Sequence, residues 1–143
     1  MDTGLGNSAY LIGSHATKKG ILIDPLRDVD RYLHAASELG IQLTHVLDTH
    51  LHADFVSGNL EIANQTRAII GATAEAKAGF DHQPLTEDSV IDLGSFQIRV
   101  MTTPGHTPEH ISYLLVKPDG KTPSALFSGG ALIVGGAART DLL

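Results

Sequence analysis

Two histidines and an aspartate alternate in the segment Thr49-His50-Leu51-His52-Ala53-Asp54. Alternate residues of an extended segment point the same way, so His50, His52 and Asp54 are set to converge on one side of the chain. Imidazole is the commonest nitrogen donor for zinc and also binds iron, and a pKa near ~6.5 leaves it neutral, as a ligand must be, at physiological pH. A further histidine, His106, stands in Thr103-Pro104-Gly105-His106-Thr107-Pro108-Glu109-His110, where two prolines and a glycine stiffen the loop and reduce the entropy lost on metal binding. Three protein ligands, the third from a separate loop, with one open position is the form of a catalytic metal site. The candidate ligands are therefore His50, His52, His106 and Asp54, with Asp54 also the candidate catalytic residue. Asp48 either orients a ligating imidazole or simply ends its strand. His110 shares the loop with His106 and is equally suited to facing solvent.

The elements around these segments explain why they are loops. Ser8–Ile12 and Ile21-Leu22-Ile23 read as a hairpin stopped by Asp24-Pro25. A helix follows, with Asp28 as the expected N-cap, Val29, Tyr32, Leu33, Ala36 and Leu39 on its apolar face, and Gly40 as its stop. Leu43–Leu47 reads as a buried strand feeding the first histidine cluster. A second helix is expected over Ser57–Gln65 with Leu60 and Ile62 apolar, then a strand at Ala68-Ile69-Ile70. From Val90 the pattern becomes sheet: Phe96, Ile98 and Val100 alternate with Gln97, Arg99 and Met101, and Ile111–Val116 and Ala125–Phe127 continue antiparallel. The other histidines take ordinary places: His34 on a wet helix face, His15 and His82 in loops, His45 within a strand. The fold class expected is one layered α/β (α+β) domain over residues 1–143 with polar loops at strand ends.

Composition narrows the function. In 143 residues, 42% hydrophobic, sixteen acidic against ten basic residues give a net charge of −6, and no Lys/Arg run offers a surface for phosphate backbones. Nucleic acid is not an expected partner; a small-molecule substrate is. The chain has no cysteine, which excludes disulfides, thiolate ligands and a cysteine nucleophile. Apolar runs such as Ala9–Ile12 and Ala131–Val134 fall far short of the ~20 residues of a membrane span, and Met1-Asp2-Thr3 lacks a basic leader. A soluble, cytoplasmic protein without a membrane partner is expected.

Thr49 to Phe55 resembles the His-x-His-x-Asp-His signature of the metallo-β-lactamase superfamily, and Thr103 to Pro108 resembles its Gly-His-Thr loop. The His-Ala-Asp wording and the ending Leu126-Phe127-Ser128-Gly129-Gly130 through Arg139-Thr140-Asp141-Leu142 are most similar to persulfide dioxygenases and related bacterial proteins carrying rhodanese domains. The resemblance runs from about Asp2 to the last residue. It implies an αββα sandwich, here incomplete at the C-terminus, with metal at one edge of the sheets. In persulfide dioxygenases the first signature histidine, the Gly-His-Thr histidine and a later aspartate hold one ferrous iron, which corresponds here to His50, His106 and, by position, Gly130. The chain thus lacks that carboxylate, and Asp54 is the signature residue that could replace it. Phe55 stands where the signature's last histidine would be, removing a ligand of the second metal found in dinuclear hydrolases. Family domains continue beyond Leu143, so the chain reads as partial, and a homo-oligomer that covers the shortened core is a physically sensible expectation.

Three functions follow. The first is oxidation of a low-molecular-weight persulfide, such as glutathione persulfide, to sulfite at one Fe(II). The second is hydrolysis of a thioester at one Zn(II) held by three histidines, with Asp54 as general base. The third is a binding module that has kept the scaffold and lost turnover. Arg139 and Asp141 either bind substrate or pair with each other to fix the last loop.

Overall fold

The computed structural model describes residues 7–138. Strands β1 (Tyr10–Gly13) and β2 (Lys19–Ile23) form the expected antiparallel hairpin. Beyond it β3 (Gln42–Leu47), β4 (Ile69–Thr73) and β5 (Gln83–Leu85) add in parallel, giving a five-stranded sheet in the order β1-β2-β3-β4-β5. Parallel neighbours need crossovers, supplied by α1 (Asp30–Glu38) between β2 and β3 and α2 (Asn59–Thr66) between β3 and β4. A second sheet, β6 (Val90–Asp92), β7 (Gln97–Thr102), β8 (Ile111–Val116) and β9 (Pro123–Phe127), is antiparallel throughout. A small ribbon of β10 (Leu132–Ile133) and β11 (Gly136–Ala137) follows.

Period-2 alternation divides the apolar residues between two cores. Ile21, Ile23 and Leu47 point into the space between the sheets, against Ile98, Val100, Ile111 and Tyr113. Leu22, Val46 and Ile70 point the other way, against Val29, Ala36 and Ile62 of the helical layer. Each fully buried Ile or Leu contributes roughly 1.5–3 kcal/mol. Leu43 shares a face with Val46, contrary to simple alternation, because Gly20 pairs with Leu43 while Ile21 pairs with His45. Thr44 is thus the extra residue of a bulge; its hydroxyl donates to the Gly20 carbonyl at 3.1 Å. His45 Nδ1 lies 3.1 Å from the Thr44 hydroxyl and has a structural place.

Several local expectations are corrected. Asp28 is not the cap of α1: Val29 is, without a side-chain cap bond, and the amides of Tyr32 and Leu33 both reach its carbonyl. Val29 is buried, so packing anchors this helix start where a polar cap was expected. Leu39 and Leu60 are about half exposed, since Leu39 falls on the C-cap and Leu60 on the outer face of a two-turn helix; only Ile62 of the second pair is buried. Strand β5 escaped the sequence pattern because Leu85 alone of its three residues is buried, and its Pro84 is tolerated at the sheet edge. The described residues supply helix, sheet and sheet layers; no helix covers the outer face of the second sheet among them. No helix among them is long and apolar enough to cross a membrane.

The topology assembles one polar edge. Parallel β2, β3 and β4 end on the same side, so Asp24 and the Asp48–Asp54 loop emerge together, as strand ends of α/β sheets do at ligand sites. The β7–β8 loop and the segment after β9 arrive at the same edge from the second sheet.

Candidate metal centre

Asp24 is the buried hub that the sequence reading treated only as a strand stop. Its amide extends the sheet ladder to the Leu47 carbonyl at 2.8 Å. Its carboxylate accepts the Thr49 amide at 2.7 Å and the Thr49 hydroxyl at 2.9 Å, and His52 Nε2 lies 3.1 Å from Oδ1. The available signal was a carboxylate directly after an apolar strand, the same arrangement as Asp48 after β3. Two bonds join the loops across the sheets. Ile111 N donates to Thr49 O at 2.8 Å, and Leu51 N donates to the Glu109 carboxylate at 3.1 Å. Tyr113, fully buried, donates its hydroxyl to the Asp48 carbonyl at 2.6 Å.

Four imidazoles gather above this frame. The His50 ring lies 4.1 Å from that of His52, 4.7 Å from His106 and 5.2 Å from His110, centroid to centroid. Thr49 gives its only hydroxyl proton to Asp24, so at 2.9 Å it accepts from His50 Nδ1–H. His50 Nε2 is thereby left unprotonated and available as a ligand. Burial, helped by the neighbouring imidazoles, pushes His50 down to about 4. Burial does the same to His110, also to about 4, with His106 adding to the effect. His52 differs: burial alone would lower it, yet the hydrogen bond and charge of Asp24, with Asp48 and Asp54, raise it overall.

The expected residues are thus adjacent, but they do not all face one point. His52 turns inward, 3.1 Å from Asp24 and 3.8 Å from Asp48, and its other face is covered by Phe55 at 4.1 Å. Among the described residues, Asp24, Asp48 and His52 are the group whose donor atoms all lie within 4.8 Å of one another, a candidate metal site. Two carboxylates and an imidazole suit a divalent cation in charge. Their side chains are only 2–10% exposed, so that site is closed to substrate. Asp48 is pushed up to about 7, by burial first and then by the Asp24 charge.

His106 is exposed and has no hydrogen bond among the described residues. With His50, His52 and exposed Asp54 it borders a cavity of about 820 Å³ whose far wall is apolar, built from Tyr10, Leu126, Leu132 and Ile133. His110 is buried, its Nδ1 2.8 Å from the Thr103 hydroxyl, and its Nε2 has no hydrogen-bond partner. Gly129 and Gly130 pass close beneath these rings; a Cβ on Gly130 would fall 2.3 Å from His106 Cδ2. Available imidazole nitrogens, one of them buried and unpartnered, beside an open cavity fit a divalent ion. Arg139 and Asp141 lie outside the described residues.

The chain is similar to known proteins over most of its length. The "Hydroxyacylglutathione hydrolase-like protein" of Mus musculus is 35% identical over 130 residues, covering 91% of this chain and 46% of its own length. The chain therefore spans about half the length of the curated relatives it matches. The crystal structure of ETHE1 from Myxococcus xanthus superposes with a TM-score of 0.87 at 36% identity, over 99% of this chain and 60% of its own. The metallo-beta-lactamase from Staphylococcus aureus gives the same TM-score and identity, over 95% of this chain and 43% of that one. A family model described as "Metallo-beta-lactamase superfamily" matches residues 2–142. A match over nearly the whole sequence, joined to paired sheets that deliver their histidine loops to one edge, means that the chain belongs to the metallo-beta-lactamase superfamily.

Proposed function

We propose that the chain works with a single divalent ion held at His50 and His106, and that its reaction is oxidation of a low-molecular-weight persulfide, such as glutathione persulfide, to sulfite. The observation that carries the one-ion reading is the placement of His52. Its Nε2 is engaged by Asp24 and one face of its ring is covered by Phe55, so His52 has only Nδ1 left for an ion, and the imidazoles that border the one cavity serve one ion. The resemblance to persulfide dioxygenases, which use one ferrous iron, and the fold likeness to ETHE1 support this choice.

In the overall reaction persulfide, dioxygen and water give thiol, sulfite and two protons. Bound iron would supply the redox chemistry that activates dioxygen. The chain supplies the rest: Thr49 and Asp24 hold the His50 ring in one tautomer, the apolar wall of Leu126, Leu132 and Ile133 shields the sulfur from bulk water, and Asp54 lies at the cavity to accept a released proton. Anaerobic reconstitution with Fe(II), followed by oxygen uptake and sulfite formation on adding persulfide, tests the reading. Iron-loaded protein that consumes no oxygen rejects it.

A second reading has its own support. The curated relatives are hydroxyacylglutathione hydrolase-like proteins, and Gly130 leaves the centre without a carboxylate, as in zinc sites built from histidines alone. On that reading Zn(II) replaces Fe(II), the substrate is a thioester, and Asp54 is the general base. Metal analysis of protein purified without added metal, with thioester turnover by the zinc form, separates the two.

A further inference from the structure

We propose that His110 is the third protein ligand of the ion at His50 and His106, taking the place of a carboxylate. The proposal rests on the one-ion reading above and adds a residue to it.

His110 and His50 are wired alike. His50 donates Nδ1–H to the Thr49 hydroxyl at 2.9 Å, and that hydroxyl donates onward to Asp24 at 2.9 Å. His110 Nδ1 lies 2.8 Å from the Thr103 hydroxyl, which lies 2.8 Å from the Ser112 hydroxyl. Running the protons in the same direction, from Nδ1–H to Thr103 to Ser112, leaves His110 Nε2 with a lone pair. This is the pattern of metal-bound histidines, whose second nitrogen is held by a hydrogen-bond acceptor. His110 is 1% exposed, and Nε2 has no partner among the described residues. A buried unpartnered imidazole nitrogen calls for an explanation, and an ion is one; the Thr107 hydroxyl of the same loop is also unpartnered among the described residues but is a poor metal ligand.

The spacing agrees. With metal–nitrogen bonds of about 2.0–2.1 Å, imidazoles sharing a tetrahedral ion place their ring centres roughly 5 Å apart. His50 and His110 stand at 5.2 Å, His50 and His106 at 4.7 Å, His106 and His110 at 6.1 Å. As the rings stand, their three nitrogens are not all within 4.8 Å of one another. His106 closes the gap by turning, since it is exposed and carries no hydrogen bond among the described residues.

Two glycines leave room for this. A Cβ on Gly129 would lie 2.9 Å from His110 Nε2 and 2.4 Å from the Thr49 hydroxyl, and one on Gly130 would lie 2.3–2.7 Å from three atoms of the His106 ring. The sequence change that removes the carboxylate therefore also leaves the space in which imidazoles approach. The resulting centre has three neutral ligands, a set that suits zinc, iron, copper or nickel.

The test loads the full chain with Cu(II) and counts equatorial imidazoles by electron spin echo modulation. It then compares Co(II) affinity, by chelator competition, in wild type, His110→Leu and Thr103→Val. Three imidazoles in wild type are expected. His110→Leu should weaken Co(II) on the order of 100-fold or more, and Thr103→Val, which loses only the outer partner, roughly 10-fold. The metal-free His110→Leu protein should melt at or above the wild-type temperature, because it no longer buries an unpartnered nitrogen; a merely structural histidine would give the reverse. Two imidazoles, or an unchanged Co(II) affinity in His110→Leu, overturn the assignment while the metal centre stands. Should His110→Leu fail to fold, the imidazole count on His52→Asn decides: three support the assignment and two overturn it. Wild-type protein that takes up neither metal overturns the one-ion reading as well.

Discussion

His52 Nε2 lies 3.1 Å from Asp24 Oδ1, across 28 positions of sequence, with both side chains no more than 3% exposed. This contact decides how the histidine pair divides its work. His50, anchored through its other nitrogen, keeps Nε2 available, whereas His52 closes onto a carboxylate that also holds Thr49. Both rings of the alternating pair border the cavity, but only His50 keeps its Nε2 for it, while His52 spends Nε2 on the support.

Asp24→Ala should therefore destabilise the protein by about 3–5 kcal/mol, the cost of removing one partner from a buried hydrogen-bonded pair. The loss is compounded because Asp24 has φ = 49°, a left-handed conformation that Asn tolerates better than Ala. Asp24→Asn should cost clearly less. Urea unfolding of the two variants in chelator checks this; equal losses would mean that the accepting oxygen and the tolerance of positive φ that Asn keeps carry no weight, and negligible losses in both would mean that the carboxylate contacts carry none.

Metal uptake should separate the histidines. His50→Ala and His106→Ala should each leave the purified protein without stoichiometric metal. His52→Asn should retain the ion with affinity lowered roughly 10–100-fold, the usual effect of losing a supporting residue. Elemental analysis after dialysis against a weak chelator reads the difference, and His52→Asn losing metal as completely as His50→Ala would place His52 among the direct ligands.

Much of this arrangement is legible in the sequence. The apolar run Ile21-Leu22-Ile23, the alternation at Ile98/Val100, the hairpin and both histidine loops follow from local pattern, because side-chain direction in a strand is a property of backbone geometry alone. The inward turn of His52 was not legible, since its partner Asp24 is brought near only by the parallel pairing of β2 with β3. The same holds for His110. Its burial depends on the sheet-to-sheet contact of Ile111 with Thr49 and on glycines twenty residues away. Leu39 and Leu60 failed for a different reason: helical spacing marks a face, while helix length and the breadth of the sheet below decide how much of that face is covered.

Asp48 yields a pH prediction. Burial, reinforced by the charge of Asp24, pushes its carboxyl from 3.8 up to about 7, against the smaller opposing effects of His52 and Ser57. The unfolded chain releases this proton near the ordinary value, so between about 4 and 7 the folded state holds more protons than the unfolded state. Stability from this group therefore falls as pH rises through that window. Asn, which stays neutral and can still accept from Ser57, escapes the loss. Relative to wild type, metal-free Asp48→Asn should gain stability at pH 8 and little at pH 4. Denaturation curves at the two pH values test the sign, and a gain that is the same at both would refute the raised carboxyl.

Gly130 allows the missing carboxylate to be put back. Gly130→Ala adds a Cβ where the His106 ring now lies, 2.3–2.7 Å from three of its atoms, and contributes no donor. The exposed ring can swing away, so the fold should survive while metal affinity drops by about 10-fold or more, as for a misplaced ligand. Gly130→Asp displaces the ring equally but brings an oxygen ligand, converting an all-imidazole set towards two histidines and a carboxylate. Affinity for Fe(II) should then recover relative to Gly130→Ala, and more than affinity for Cu(II), because the added hard oxygen donor favours the former. Parallel titrations of the three proteins with both ions read this directly. If Gly130→Asp binds Fe(II) no better than Gly130→Ala, position 130 does not face the ion, and the space beneath His106 has another cause.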